Sequence, residues 1–585
     1  MSFAATILSL LILALPTPAV AQEAPATTAS AAVEGSTSEA EVAVADSGAA
    51  ETEEDKPLLA RFNAFMFEAL FFDVTGGAVQ VPDQTFDDQP VLDPATGQPK
   101  MKTITFPFLV MVLMLGAVFF TFWYRFINLR GFKHAIDIVR GLYDDPDDEG
   151  EISHFRALTS ALSATVGLGN IAGVAVAIVK GGPGAVVWMM ILAVFGMTAK
   201  FSSCCLAQLY RKVNADGSIS GGPMYYLDIG LKSINPGVGV LGKVLAVVYA
   251  FMIMGGAFGG GNMFQSNQTV EALATTFDLT VKDASGATIP DPTAALVIGI
   301  VMAVLVGAVI LGGIKRIGAA TSKIVPAMCG LYLAAALFVI LFNIARLPEA
   351  IALMFSMAFS SKAFYGGVMG VMVVGIQRAA FSNEAGLGSA SIAHAAAKTD
   401  EPVREGMVAM LGPFIDTIIV CAMTAMVVVV TGQWKDPNVV NNPALQGAAV
   451  TADAFKTVFT WFPYVLSVSI ALFAYSTMVS WCYYGERGWI YLLDHFNGAG
   501  LKSVVVFRIL FVLAVVLGAV SKLTHVLDFS DIMILSMAFP NIIGSVILAP
   551  RLKKRLDDYW ERYTSGKMLP YAEEKAARPT SGATT

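Results

Sequence analysis

Residues 155–185 read FRALTSALSATVGLGNIAGVAVAIVKGGPGA, an apolar run long enough to cross a bilayer but interrupted in its middle. Between Thr165 and Gly173, three glycines and Asn170 fall within nine residues. Glycine weakens a helix interior by about 1 kcal/mol relative to alanine. Backbone groups freed in lipid must face protein or a cavity. Such a stretch either lets helices pack closely through small residues or unwinds, turning carbonyls toward a cation and amides toward a carboxylate, as in transporters with discontinuous helices.

The rest of the chain makes this a membrane span. Of 585 residues, 55% are hydrophobic and only 14% charged, against about 25% charged in a soluble domain. Apolar runs of roughly the 20 residues a spanning helix needs recur at about 104–126, 156–179, 184–210, 240–273, 293–312, 321–345, 363–380, 406–431, 455–484, 503–520 and 528–549. Eleven spans are expected, the fourth and ninth long enough to reach into an aqueous face.

A second glycine-rich run, FYGGVMGVMVVG at 364–375, lies five spans after the first. Interrupted segments at corresponding positions of two halves point to a transporter site. The fold expected is an all-α membrane protein with inverted five-helix repeats, residues 155–345 and 363–550, preceded by one extra transmembrane helix at 104–126. An odd number of spans per repeat forces the inversion.

The flanks are of a different character. Residues 1–21 resemble a signal peptide, with an apolar core from Ile7 to Leu15 and Ala19-Val20-Ala21 as cleavage site, though without the usual basic start. Residues 22–103 form an acidic, extracytoplasmic extension, too poor in large apolar residues over 22–56 to order itself. It contains an amphipathic helix near 58–72. Residues 551–585 are a cytoplasmic tail. Arg130, Arg211, Lys398, Arg404, Arg487 and Lys553 mark one side, whereas the N-terminal extension, 276–292 and 433–453 on the other side carry few basic residues. The positive-inside rule then puts the N-terminus outside and the C-terminus in the cytoplasm of a plasma (inner) membrane.

Several function classes are disfavoured. The net charge of −7 leaves no basic footprint for nucleic acid, and no obligate protein partner is evident. The five cysteines lack metal-ligand spacing and the five histidines are scattered. A membrane enzyme would need a convergent catalytic set that is not apparent, and a sensor would need an output domain. The polar residues inside spans are Asn170, Asn262, Gln265, Asn267, Ser476, Thr477 and Ser480. Asn267 and Ser480 read best as helix-to-helix hydrogen bonders. Asp416 is the one clear carboxylate deep in an apolar run, which keeps a proton-coupled permease open as an alternative. Neutral oxygens suit sodium better than calcium, whose sites include several carboxylates.

At these residues the chain resembles the alanine or glycine:cation symporter family, the sodium:alanine symporters. The resemblance rests on GLGNIAGVAVAI (167–178), GGPGAVVWMM (181–190), GMT (196–198), GGPM (221–224), GNMFQSNQ (261–268), GGIKRIG (312–318) and FSNEAGLGSASIAHAAA (381–397). One departure stands out: the acid usual near position 203 is replaced by Ser202-Ser203. The resemblance implies the leucine-transporter fold and uptake of a small neutral amino acid, alanine or glycine, with sodium (Na+). It implies a sodium site from the carbonyls of Ser163 and Val166 and the hydroxyls of Ser476 and Thr477. Gly167, Leu168, Gly169 and Asn170 would face the substrate carboxylate, with Gln265 and Asn262 completing the polar end. Phe364, Gly366, Gly367 and Gly370 would receive the amine. A passive channel is the remaining alternative.

Overall fold

The computed structural model describes residues 72–577, apart from 79, 83–97, 99, 104, 215, 283–287, 360–366, 437–446 and 522, all within the unit Leu70–Thr585. The expected signal segment, nearly all of the amphipathic helix near 58–72, and Phe364 and Gly366 lie outside the described residues.

The helices that frame the site begin with α1 (Phe108–Trp123), α2 (Phe132–Val139), α3 (His154–Thr165), α4 (Gly169–Gly181), α5 (Gly184–Leu209), α6 (Pro236–Thr276), α7 (Pro292–Ile310) and α8 (Gly313–Phe342). Then come α9 (Leu347–Phe359), α10 (Gly367–Asn383), α11 (Ser391–His394), α12 (Pro402–Thr431), α13 (Ala448–Lys456), α14 (Phe462–Asn497), α15 (Val504–Val520), α16 (Leu523–Ser536) and α17 (Ala538–Thr564). Three antiparallel hairpins, pairing Val81 with Lys102, Val213 with Ile219 and Val281 with Ile289, trim the loops.

Local chemistry sets several starts. Asn235 and Asp291 cap α6 and α7 by accepting backbone N–H groups at 2.9 Å, each followed by proline at the first helical position. A side-chain acceptor and a residue without an N–H together satisfy the orphan donors of a helix start. At 36 residues, α14 is about 54 Å long at 1.5 Å per residue, well beyond a hydrocarbon core of about 30 Å.

Among the described residues eight helices are long and apolar enough to cross a membrane, or nine when α3 and α4 count as one bent span. The remainder of the eleven expected runs are α1, 16 residues long, and α10, 17 residues long. Burial locates the core: the most apolar stretches of α5 and α14 are 72% buried, whereas that of α7 is 33% buried and faces lipid.

Among the most extensive helix pairings are α5 with α12, α6 with α14, and α7 with α15. These are the second, third and fourth elements of the two five-helix repeats, each against its own counterpart.

Two features depart from the sequence reading. Helix α9 has no counterpart among the expected spans and falls between the two repeats as drawn. It packs on the start of α5, where Trp188 Nε1 donates to the Ala358 carbonyl at 3.0 Å. A further interruption, not expected from the sequence, follows α10. The run 367–375 is helical as the start of α10, and the chain breaks at Glu384–Ala390, where Glu384, Gly386 and Gly388 have φ of +54°, +89° and +83°. Glycine takes such angles without cost, and here it does so in the motif NEAGLG.

Candidate functional site: two broken helices held by polar side chains

The first span is broken where its composition changes. Helix α3 ends at Thr165, Val166 takes ψ 95° and turns its carbonyl off the helix axis, and α4 resumes at Gly169 after a bend of 56°. Its first turn, Gly169–Gly173, is π-helical, as are Gly259–Met263 in α6 and Phe414–Cys421 in α12. Single π turns inside helices are frequent at functional sites.

Helix α14 grips the last turn of α3. Thr477 Oγ1 donates to the Ser163 carbonyl at 3.0 Å, Ser163 Oγ to the Ser476 carbonyl at 2.6 Å, and Trp481 Nε1 to the Ala164 carbonyl at 3.3 Å. Ser163, Val166, Ser476 and Thr477 are all buried. The Ser476 hydroxyl points instead at the Phe473 carbonyl, 3.0 Å, and Met328 Sδ, 3.4 Å. It would have to rotate to join a cation site with the other three. The donor set is neutral oxygen, which fits a hard monovalent cation.

Beside the break, a Cβ on Gly167 would sit 2.9 Å from Thr477 Oγ1 and 3.9 Å from Gln265 Oε1. Gln265 donates to the Gly260 carbonyl at 2.9 Å, and its own Oε1 is buried without a hydrogen-bond partner. An unmet buried acceptor costs about 1–3 kcal/mol, which a ligand's donor would relieve. Leu168 is buried within the break.

Asn170 faces the other way. Its Oδ1 accepts the Gly167 N–H at 2.8 Å and its Nδ2 donates to Asp416 Oδ1 at 2.6 Å. The fully buried Asp416 also accepts from Ser382 Oγ at 2.9 Å and Thr417 Oγ1 at 2.8 Å. Ser382 belongs to the last turn of α10, and a Cβ on Gly169 would lie 3.5 Å from its Cα. Asp416 therefore ties the first broken span to the approach of the second.

The carbonyls released at the second break are already taken. Lys200 Nζ donates to Asn383 O at 3.1 Å, Asn541 Nδ2 to Gly386 O at 2.6 Å, and Tyr249 OH to Leu387 O at 3.0 Å. Asn383 donates to Thr417 Oγ1 at 3.0 Å, and Ser389 bonds the Glu384 carboxylate. Lys200 is buried beside the charges of Glu384 and Asp416. The Ser203 hydroxyl donates to carbonyls of its own helix, Ala199 at 3.3 Å and Lys200 at 3.1 Å.

The structure thus brings together Ser163, Val166, Gly167, Gln265, Ser476 and Thr477, and sets Gly169 and Asn170 on the adjoining face. Asn262 donates its Nδ2 to the Phe511 carbonyl of α15 at 2.7 Å, a helix-to-helix bond, and its Oδ1 is buried without a partner among the described residues. Gly367, at φ +65°, opens α10 directly after residues outside the described set, and Gly370 lies in its first turn. Asn267 bonds the Gly518 and Ser521 carbonyls at 3.2 and 2.7 Å as expected, whereas the Ser480 hydroxyl has no partner among the described residues. Sequence reasoning missed Lys200, Ser382, Asn383 and Glu384 as site members. The signal was available, since GLG beside asparagine occurs in both breaks, at 167–170 and 383–388.

A model of the sodium:alanine symporter family matches residues 95–573. The chain belongs to that family. The sodium/alanine symporter AgcS of Methanococcus maripaludis is 41% identical over 444 residues, covering 76% of this chain and 92% of that one. The amino-acid carrier protein AlsT of Bacillus subtilis is 34% identical over 464 residues, 78% of this chain and 90% of that one. Among solved structures, MhsT in complex with L-phenylalanine aligns over 68% of this chain and 98% of its own, at 15% identity and a TM-score of 0.43. The chain is a multi-pass membrane protein, and its class of activity is cation-coupled amino-acid transport.

Proposed function

We propose that the protein imports a small neutral amino acid, alanine or glycine, by symport with sodium across a plasma (inner) membrane, its N-terminus outside. The observation that carries this is the junction of α3 and α14: Ser163 O and Thr477 Oγ1, 3.0 Å apart, beside the turned carbonyl of Val166 and next to the unmet acceptor of Gln265. A sodium ion there would replace the Thr477–Ser163 hydrogen bond with shared coordination. The amino acid's ammonium would supply the donor that Gln265 lacks. Ion and solute would thus organise one another across Gly167. The AgcS relative, by its name, carries sodium and alanine, which supports the same pairing.

The driving force suffices. One charge entering at about −100 mV contributes about 2.3 kcal/mol, before any concentration gradient adds to it. Alternating access would rock one part of the bundle against the other about this junction. Asp416 has both carboxylate oxygens engaged by the neutral donors of Asn170, Ser382 and Thr417, which favours a positioning role over proton coupling. The test is uptake of labelled alanine into proteoliposomes with and without an inward sodium gradient. Equal uptake in both would remove the sodium claim, and uptake following an imposed pH gradient without sodium would restore the proton alternative.

A further inference from the structure

Away from the junction, at the end of the bundle carrying Arg211 and Arg404, lies a second buried cluster that symport does not explain. Glu405, in the first turn of α12, is fully buried and receives one imidazole on each carboxylate oxygen. His154 Nδ1 bonds Oε2, and His394 Nδ1 bonds Oε1 at 2.5 Å. His154 is the first residue of α3 and His394 the last of α11, beyond the second break. One carboxylate thus clasps segments of both broken spans.

With both Nδ1 atoms on Glu405, each ring's Nε2 is left buried and without a hydrogen-bond partner. For His154 that atom lies 3.8 Å from Asp144 Oδ1, itself buried and unpartnered. Asp144 sits on the linker between α2 and α3 with its side chain 37% exposed, so it touches both solvent and cluster. Two acceptors facing each other at that distance are a repulsive pair. One proton on Nε2 converts them into donor and acceptor, and cation and anion, and a movement of under 1 Å brings them into hydrogen-bond range.

We propose that His154, His394 and Glu405 form a proton-binding site, loaded from solvent through Asp144, whose proton fastens the 141–153 linker to the start of α3. An imidazole suits the task because one proton turns Nε2 from an acceptor into a charged donor. The surrounding charges are mixed. Burial of the His154 ring opposes the proton most; Asp144 and Asp148 on the linker favour it, and Arg404 of α12 and Arg211 of α5 add to the opposition. Arg404 is drawn off toward Asp148 at 4.0 Å and the Tyr143 carbonyl at 2.9 Å, and Arg211 is spent on the carbonyls of Glu149, Ala395, Ala397 and Thr399. Burial holds the Asp144 carboxyl above its ordinary value, His154 drawing it partly back, as befits a group that passes a proton on.

The linker's backbone is already stitched to the segment after α11: Glu151 N donates to Ala396 O and Lys398 N to Ile152 O, both at 2.8 Å. The proton adds the tie to α3, the half-helix whose far end holds Ser163. Its presence sets how freely that half-helix can tilt, whatever solute the protein carries.

Hydrogen exchange by mass spectrometry on the full chain in detergent tests this, without reference to transport. After correction for intrinsic rates, peptides covering 141–160 are expected to exchange roughly two- to five-fold more slowly at about pH 4 than at about pH 7. Asp144→Asn, at a half-exposed position, should abolish the difference, and His394→Gln should keep it. A wild type with no difference, or an Asp144→Asn variant that retains it, overturns the proposal.

Discussion

The Asn170 side chain bridges the break in its own span, taking the Gly167 N–H at 2.8 Å on one atom and reaching Asp416 at 2.6 Å with the other. A single amide therefore fixes the shape of the interruption and fastens it to α12. Removing the acceptor should show how much of the site depends on this link. Asp416→Ala leaves the donors of Asn170, Ser382 and Thr417 unmet, at about 1–3 kcal/mol for each that stays buried and unsatisfied. Sodium-driven alanine uptake should fall at least about ten-fold, and thermal stability should fall with it. Uptake within two-fold of wild type would mean that the link is dispensable.

Gly167→Ala tests the ion side of the same break. Its methyl would lie 2.9 Å from Thr477 Oγ1, closer than a carbon and a hydroxyl oxygen sit without one of them moving. Thr477 should shift from Ser163, and the sodium concentration for half-maximal uptake should rise about ten-fold, or about 1.4 kcal/mol. An unchanged sodium dependence would place the ion elsewhere.

Two other glycines should respond in opposite directions. A Cβ on Gly518 would lie 2.5 Å from Met263 Cα and 2.7 Å from its carbonyl oxygen, backbone that cannot step aside. Gly518→Ala should destabilise by about 1–3 kcal/mol, the usual range for overpacking. Gly330, inside α8, has nothing within 4 Å of the same position. There alanine should stabilise by up to about 1 kcal/mol through helix propensity. Melting temperatures in one detergent decide both.

His134, on α2 outside the spans, gives a pH dependence. Its Nε2 meets Tyr559 OH at 2.7 Å, and burial, with Arg404 nearby, brings the imidazole down to about 4. The unfolded value is about 6.5, so between these limits the unfolded chain binds more protons than the folded one. Its contribution to stability is complete above about pH 6.5 and declines as pH falls toward 4. Melting temperature should therefore drop on acidification, and His134→Gln, which keeps a partner for Tyr559, should flatten that drop. Equal slopes for both proteins would show that His134 does not titrate in this range.

How far the sequence reveals this arrangement depends on the kind of signal. Apolar periodicity places the spans, because a membrane helix must be both long and apolar. It also locates the first break, because Gly167, Gly169 and Asn170 interrupt an otherwise strong run. Of the second break expected at 364–375, only 367–375 lies within the described residues, and there the chain is helical from Gly367, which itself has φ +65°. Glycine in that run serves close packing inside α10, as where Gly375 meets Trp188 of α5, a Cβ lying 2.8 Å from that side chain. The interruption from Asn383 to Gly388 carries a charge and follows the apolar run, so it reads as a loop. Asp416 is visible as a lone acid, but its partners Asn170 and Ser382 are 246 and 34 residues away. Only the tertiary fold brings them to it. Asn262 spends its Nδ2 on the Phe511 carbonyl while its Oδ1 stays buried without a partner among the described residues, a division that its place in the sequence does not show.

The pairing of each helix with its counterpart bears on how the chain is made. Until residues 384–541 emerge, the first half lacks most of the surfaces that cover it. Lys200 has no Asn383 carbonyl, Asn262 no Phe511 carbonyl, and Asn170 no Asp416. Five newly inserted helices must then wait in lipid with an ammonium and two amides unmatched, a state that favours shielding by the insertion machinery over free diffusion. A chain severed between α8 and α10 and supplied as two co-expressed pieces should reassemble, whereas either piece alone should be degraded.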